Sequence, residues 1–206
     1  MIIELSDAGK RFNRDWIFRH ITYRFTAGES YAVTGSNGSG KSTLLQVLAG
    51  SMDASEGKVA YTAASGPQIQ PDAIFRQLAI AAPYLELIEE LTALEFLTFH
   101  AGFKPFMLGI TPQHIIAELG MEAAAGKQIR FYSSGMKQRI KLAQAIFADC
   151  PLLLLDEPCT NLDQAGYALY HRLIEKYAGS KLVIVSSNDV NEYDFCRHQL
   201  RIADYK

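Results

Sequence analysis

The run Gly35-Ser36-Asn37-Gly38-Ser39-Gly40-Lys41-Ser42-Thr43 satisfies G-x-x-x-x-G-K-[ST] at every fixed position. Residues 30–34, Ser-Tyr-Ala-Val-Thr, read as a short strand ahead of it, and residues 43–49 read as the first turns of a helix. Strand, glycine turn and helix start together build an anion site. The glycines let backbone N–H groups turn inward, and the helix dipole adds partial positive charge. Lys41 is expected to reach the outer phosphates of a bound nucleotide, and Ser42 to hold Mg²⁺ through its hydroxyl.

The chain has 206 residues, enough for one substantial core or a core with a small lobe. Lys plus Arg total 20 against 22 for Asp plus Glu, so no basic excess points to nucleic acid. Three separated cysteines, Cys150, Cys159 and Cys196, without a C-x-x-C, suit a reducing compartment. The N-terminus reads directly as a strand with no signal peptide, and no apolar run approaches a membrane span. The expectation is a cytoplasmic chain that does not itself cross a membrane.

In order, residues 2–5 and 17–25 read as strands, followed by the strand that feeds the glycine loop. Phe12, ahead of the second strand, is a candidate to stack on a base, with Trp16 in reserve. Residues 57–61 and 77–81 read as strands, the latter ended by Pro83. From Thr92 the pattern turns helical, with Leu94, Leu97 and Ala101 on one face, and Thr92 with Glu95 forms a capping box. Thr111-Pro112 opens another helix that ends at Gly120. Ser133 is placed to cap a long amphipathic helix carrying Ile140, Leu142, Ala143, Ile146 and Phe147. Leu152 to Leu155 then lead into Asp156-Glu157, a pattern typical of a buried parallel strand ending in two acids. Asp163 opens a helix, 181–186 is a further buried strand, 189–195 a short helix and 198–203 a closing strand.

Taken together and in this order, these motifs resemble the nucleotide-binding subunit of ATP-binding cassette (ABC) transporters over nearly the whole chain. The resemblance implies an α/β fold: a P-loop NTPase core with a parallel central sheet, an N-terminal antiparallel β-subdomain and an inserted α-helical subdomain. Residues 1–84 and 136–206 would form the core, and 85–135 the helical lobe. ATP and Mg²⁺ are implied as ligands. Phe12 looks like the adenine-stacking aromatic. Ser36, Asn37, Gly38, Ser39, Gly40, Lys41, Ser42 and Thr43 are the Walker A loop, and Asp156 matches the Walker B aspartate. Glu157 matches the carboxylate that polarises the attacking water. Ser133 and Gly135 sit at the signature motif, which in the family faces the ATP of a second subunit in a head-to-tail dimer. A separate transmembrane permease is the implied partner, met through the helical lobe, where Tyr84, Leu85, Leu87, Phe103, Phe106 and Met107 are candidate contacts. The chain would then be peripheral to the membrane on its cytoplasmic face, as a homodimer or beside a second cassette.

Three motifs depart from the family pattern. The signature reads Tyr132-Ser133-Ser134-Gly135-Met136 instead of Leu-Ser-Gly-Gly-Gln. Tyr84 stands where the family has a glutamine that reaches the metal, and Asn188 where it has a histidine facing the γ-phosphate. An asparagine amide can donate to that phosphate but carries no charge. Besides a transport ATPase, a slow nucleotide-gated switch and a cassette acting on DNA or the ribosome are alternatives. Glu157 argues against the first of these, and the lack of a second cassette or basic face against the other. The short length and the Thr34–Gly38 run resemble exporter-type ATPases, including the haem exporter of cytochrome c maturation.

Overall fold

The computed structural model describes residues 1–206. In chain order its elements are β1 (Ile2–Phe12), β2 (Asp15–Thr26), β3 (Ser30–Thr34), α1 (Lys41–Leu48), β4 (Glu56–Thr62), β5 (Gln68–Ile69), β6 (Leu78–Ala81), α2 (Ala93–Phe103), α3 (Pro112–Glu118), α4 (Ser134–Ile146), β7 (Leu152–Asp156), α5 (Gln164–Tyr177), β8 (Leu182–Ser186) and β9 (His198–Arg201). They form two compact units. The first comprises Met1–Leu78, Cys150–Glu157 and Ser180–Lys206; the second comprises Ala79–Asp149 and Pro158–Gly179.

In the first unit an antiparallel sheet has the order β2-β1-β4-β5. Its buried face is carried by Ile3, Leu5 and Ala8 of β1 and by Phe18, Ile21 and Phe25 of β2. The sequence suggests that the first strand stops at Leu5, whereas β1 runs on to Phe12. The polar Ser6-Asp7 step is a bulge rather than an end. Asp7 and His20 take positive φ there, at 50° and 57°, and the His20 ring meets the Asp7 carboxylate at 2.7 Å.

The second sheet of this unit is parallel, with β7, β8, β3 and β9 in that order. Every residue of β7 and β8 is buried, as a strand covered on both faces requires. The register sets Asp156 opposite Ser186 and Val33 opposite Ser186, so the ends of three strands converge. After β8 the chain makes only a short 3-10 turn, Val190–Glu192, in place of the expected helix over 189–195. The closing strand ends at Arg201, because the chain turns into a 3-10 segment that buries Ile202.

In the second unit the helix starts follow their caps. Thr92 Oγ1 accepts from Glu95 N–H at 3.2 Å, and the Glu95 carboxylate accepts from Thr92 N–H at 2.8 Å. Thr111, Ser133 and Asp163 cap α3, α4 and α5. The buried stripe of α2 is Ala93, Phe96 and Leu97, not the expected Leu94, Leu97 and Ala101. Both triplets keep helical spacing, and packing selects the former, which leaves Phe99 and Phe103 outward. Met107 N–H donates to Phe147 O at 2.9 Å, and Phe106 bridges Ala148, which fastens the 105–107 segment to the end of α4. Glu118 at the end of α3 is held by Lys176 at 2.6 Å and Tyr177 at 2.9 Å, which ties α3 to α5. No helix is long and apolar enough to cross a membrane. No disulfide joins the three cysteines, and burial beside Asp194 pushes the Cys196 thiol up to about 12.

Candidate functional site

The loop after β3 wraps the first turn of α1. Gly40 precedes the helix at φ +107°, and a Cβ there would lie 2.3 Å from Ile17 Cγ2. Any side chain at this position would therefore need both a strained backbone and a displaced neighbour. Lys41 is only 4% exposed. Its ammonium donates to Gly35 O at 3.0 Å and to Ser36 O at 3.4 Å, so the charge is held against the loop's own carbonyls.

A cavity of about 210 Å³ opens on this loop, lined by Ile17, Asn37, Gly38, Gly40, Lys41, Ser42, Thr43 and Glu157. The carboxylate at the end of β7 thus shares one cavity with the cationic loop. Glu157 stands at φ +44°, a left-handed backbone that costs an L-residue about 1–2 kcal/mol. Its N–H donates to Ser186 O at 2.8 Å, which fixes the turn. Strain at a carboxylate that faces an anion loop points to function at this residue.

Asp156, one residue earlier, is 2% exposed, and its Oδ1 has no hydrogen-bond partner. A buried carboxylate oxygen left unsatisfied is costly and fits a ligand that supplies positive charge. Mg²⁺ takes only one or two protein oxygens beside phosphate and water, and Asp156 with Ser42 matches that demand. Asn188 Nδ2 donates to Asn37 Oδ1, which joins the end of β8 to the loop.

The first unit therefore brings together residues 36–43, Asp156, Glu157 and Asn188. Phe12 also belongs to this unit, at the end of β1. It is half-exposed, with Lys10 Nζ 5.4 Å from its ring centroid, and is not among the residues that line the cavity. Trp16 lies between Arg11 and Arg19, at 5.4 Å and 4.1 Å. Sequence reasoning missed Ile17 and Ser186. The contact of Ile17 with Gly40 joins β2 to the phosphate loop and has no local signal, and Ser186 is legible only once its strand is in register with Asp156.

The remaining candidates belong to the second unit. Ser133 Oγ accepts from Met136 N–H at 3.2 Å, which leaves its hydroxyl hydrogen free to donate. A Cβ on Gly135 would meet Asn161 O at 3.0 Å, so the helix start and the 160–163 loop are in close backbone contact. Tyr132, in place of the usual leucine, is buried, and its hydroxyl donates to Ala124 O at 2.8 Å. The phenol thus fills an apolar position without an orphaned hydroxyl. Tyr84 is half-exposed.

A glycine loop on a helix N-terminus, a buried lysine and a strand-end acid pair define a P-loop nucleotide-hydrolysing domain. The ABC transporter family model matches residues 18–160, and the chain belongs to that family as an ATP-binding ATPase domain. It is similar to the ABC transporter ATP-binding protein YybJ of Bacillus subtilis, 30% identical over 95% of this chain and 89% of that one. It is also similar to the cytochrome c biogenesis ATP-binding export protein CcmA of Agrobacterium fabrum, 28% identical over 91% and 88%. Among solved structures it overlays a dimeric bacterial ABC transporter cassette, MJ0796, with a TM-score of 0.80 at 22% identity, covering 97% and 94%. That last likeness speaks to the fold alone.

Proposed function

We propose that this chain powers a separate membrane permease through ATP-driven pairing of two cassettes, working peripherally on the cytoplasmic face of the membrane. The observation that carries the reading is the shared cavity of Lys41, Ser42 and Glu157. The loop N–H groups and Lys41 bind the ATP phosphates, and Phe12 stacks on the adenine. Glu157 orients and polarises the water that attacks the γ-phosphate in line. Asn188 donates a hydrogen bond to that phosphate. Ser42 and Asp156 would hold Mg²⁺ through their side-chain oxygens. The metal, when bound, neutralises charge on the phosphate oxygens. Ser133 and the backbone N–H of Gly135 meet the ATP of the opposing subunit, which is the same chain or a second cassette. The dimeric cassette among the structural neighbours supports this pairing. The name of the Agrobacterium relative supports an exporter.

In this reading residues 85–135 form the lobe that meets the permease. Phe103, 77% exposed, with Phe99 5.0 Å away and the exposed Leu108, offers the apolar contact. Leu87 is only 8% exposed and is withdrawn from that surface. The test is the solution mass of Glu157→Gln with ATP and Mg²⁺. The reading expects a species of twice the 22.9 kDa chain mass that reverts when ATP is removed. A species that stays at 22.9 kDa under saturating ATP contradicts self-pairing and leaves a second, different cassette as the partner.

A further inference from the structure

The crest of the phosphate loop is a four-residue turn. Ser39 N–H donates to Ser36 O at 3.0 Å, and Gly38 sits at φ +73°. The two central residues, Asn37 and Gly38, are exposed, so packing does little to hold them. The grip comes from Asn188, whose Nδ2 donates to Asn37 Oδ1. The backbone that carries Asn188 is fixed on both sides. Ser187 N–H donates to Val33 O at 3.2 Å, and Asp189 N–H donates to Ser187 Oγ at 2.9 Å. A rigid donor at the end of β8 thus holds a turn that is otherwise open to solvent.

We propose that Asn188 is a positioning residue that acts through Asn37, holding the loop crest in its phosphate-binding shape before ATP arrives. The proposal rests on the nucleotide-site reading above. The bond uses one of the two amide hydrogens of Asn188, and the other stays available for a phosphate oxygen. An untethered crest would have to be ordered at the moment of binding, so the tether strengthens ATP affinity and leaves the chemical step alone. Neither amide titrates near neutral pH, so the grip persists where an imidazole would change charge.

The experiment is a double-mutant cycle in the full chain, with Asn37→Ala, Asn188→Ala and the pair. ATP dissociation constants and steady-state kcat and KM are read for each, with melting curves to establish folding. Each single change is expected to weaken ATP binding about three- to tenfold, the worth of one net hydrogen bond. At saturating ATP, Asn188→Ala is expected to lose turnover as well as affinity, because it also removes the donor to the γ-phosphate, whereas Asn37→Ala breaks only the tether. The double variant is expected to bind no more weakly than the weaker single one, since both changes break the same bond. Multiplying effects, a loss confined to kcat in Asn188→Ala, or no effect of either change overturns the proposal. Should an alanine variant unfold, Asn37→Ser and Asn188→Ser read the same cycle. A wild-type chain that fails to bind ATP would overturn the nucleotide-site reading itself, whereas wild-type binding with independent effects overturns only the tether.

Discussion

The helices α1 and α4 begin in opposite ways. At α4 the chain caps itself: Ser133 Oγ accepts the Met136 N–H. Thr92, Thr111 and Asp163 do the same for α2, α3 and α5. At α1 the capping position is Gly40, which has no side chain to offer. The first N–H groups of a helix need partners, and a side-chain cap is the ordinary solution. Its omission at α1, behind a glycine loop and beside a buried lysine, leaves that terminus open to the anion of the proposed function. The α4 start has its own side-chain cap, and the Ser133 hydroxyl hydrogen and the Gly135 N–H remain to offer. The two ends therefore differ in what ligand removal or mutation should do to them.

The comparison is broken most sharply at α1. Lys41→Ala removes the charged donor and is expected to weaken ATP binding about 10- to 100-fold, as measured by titration calorimetry. Its effect on the melting temperature without nucleotide should be small beside that loss. At α4 the order reverses. Ser133→Ala should lower unfolding free energy by about 1 kcal/mol in urea titrations, because a cap is lost. Single-chain ATP binding should stay near wild type, since the loop lies elsewhere in the sequence. If Ser133→Ala leaves stability unchanged, the cap contributes nothing there and the contrast fails.

The smallest effect concerns the tie between α3 and α5. Lys176, first, and then Tyr177 and His114 hold the Glu118 carboxyl below its ordinary range. A depressed carboxylate contributes stability above its unfolded pKa of about 4.3, and that contribution disappears as pH falls through the folded value. Glu118→Gln should therefore cost about 0.5–1 kcal/mol at pH 7, and the difference from wild type should vanish at acid pH. A constant difference across pH would show that packing, not charge, is lost.

Much of this was legible before any coordinates. The glycine loop, the apolar run into Asp156-Glu157 and the four helix caps are local patterns, and the helix starts follow them. What the sequence hid depends on packing. The bulge at Asp7 looks like a strand end because its polarity interrupts the alternation. The buried stripe of α2 shifts to Ala93, Phe96 and Leu97 because the surrounding elements select the face. Ile17 against Gly40, and Asn188 against Asn37, join segments far apart in sequence, and no local spacing encodes either contact. Phe12 is a reading from chain position alone, and it lies at the end of β1, outside the residues that line the cavity.

The proposed hydrolysis of ATP rests on the strand-end carboxylate Glu157 beside the phosphate loop. The most direct measurement is steady-state ATP turnover by the purified chain with Mg²⁺, compared with Glu157→Gln under the same conditions. The account predicts clear turnover in the wild type and a loss of about 10²- to 10⁴-fold in the variant, with ATP binding retained. Equal turnover in the two proteins would contradict it.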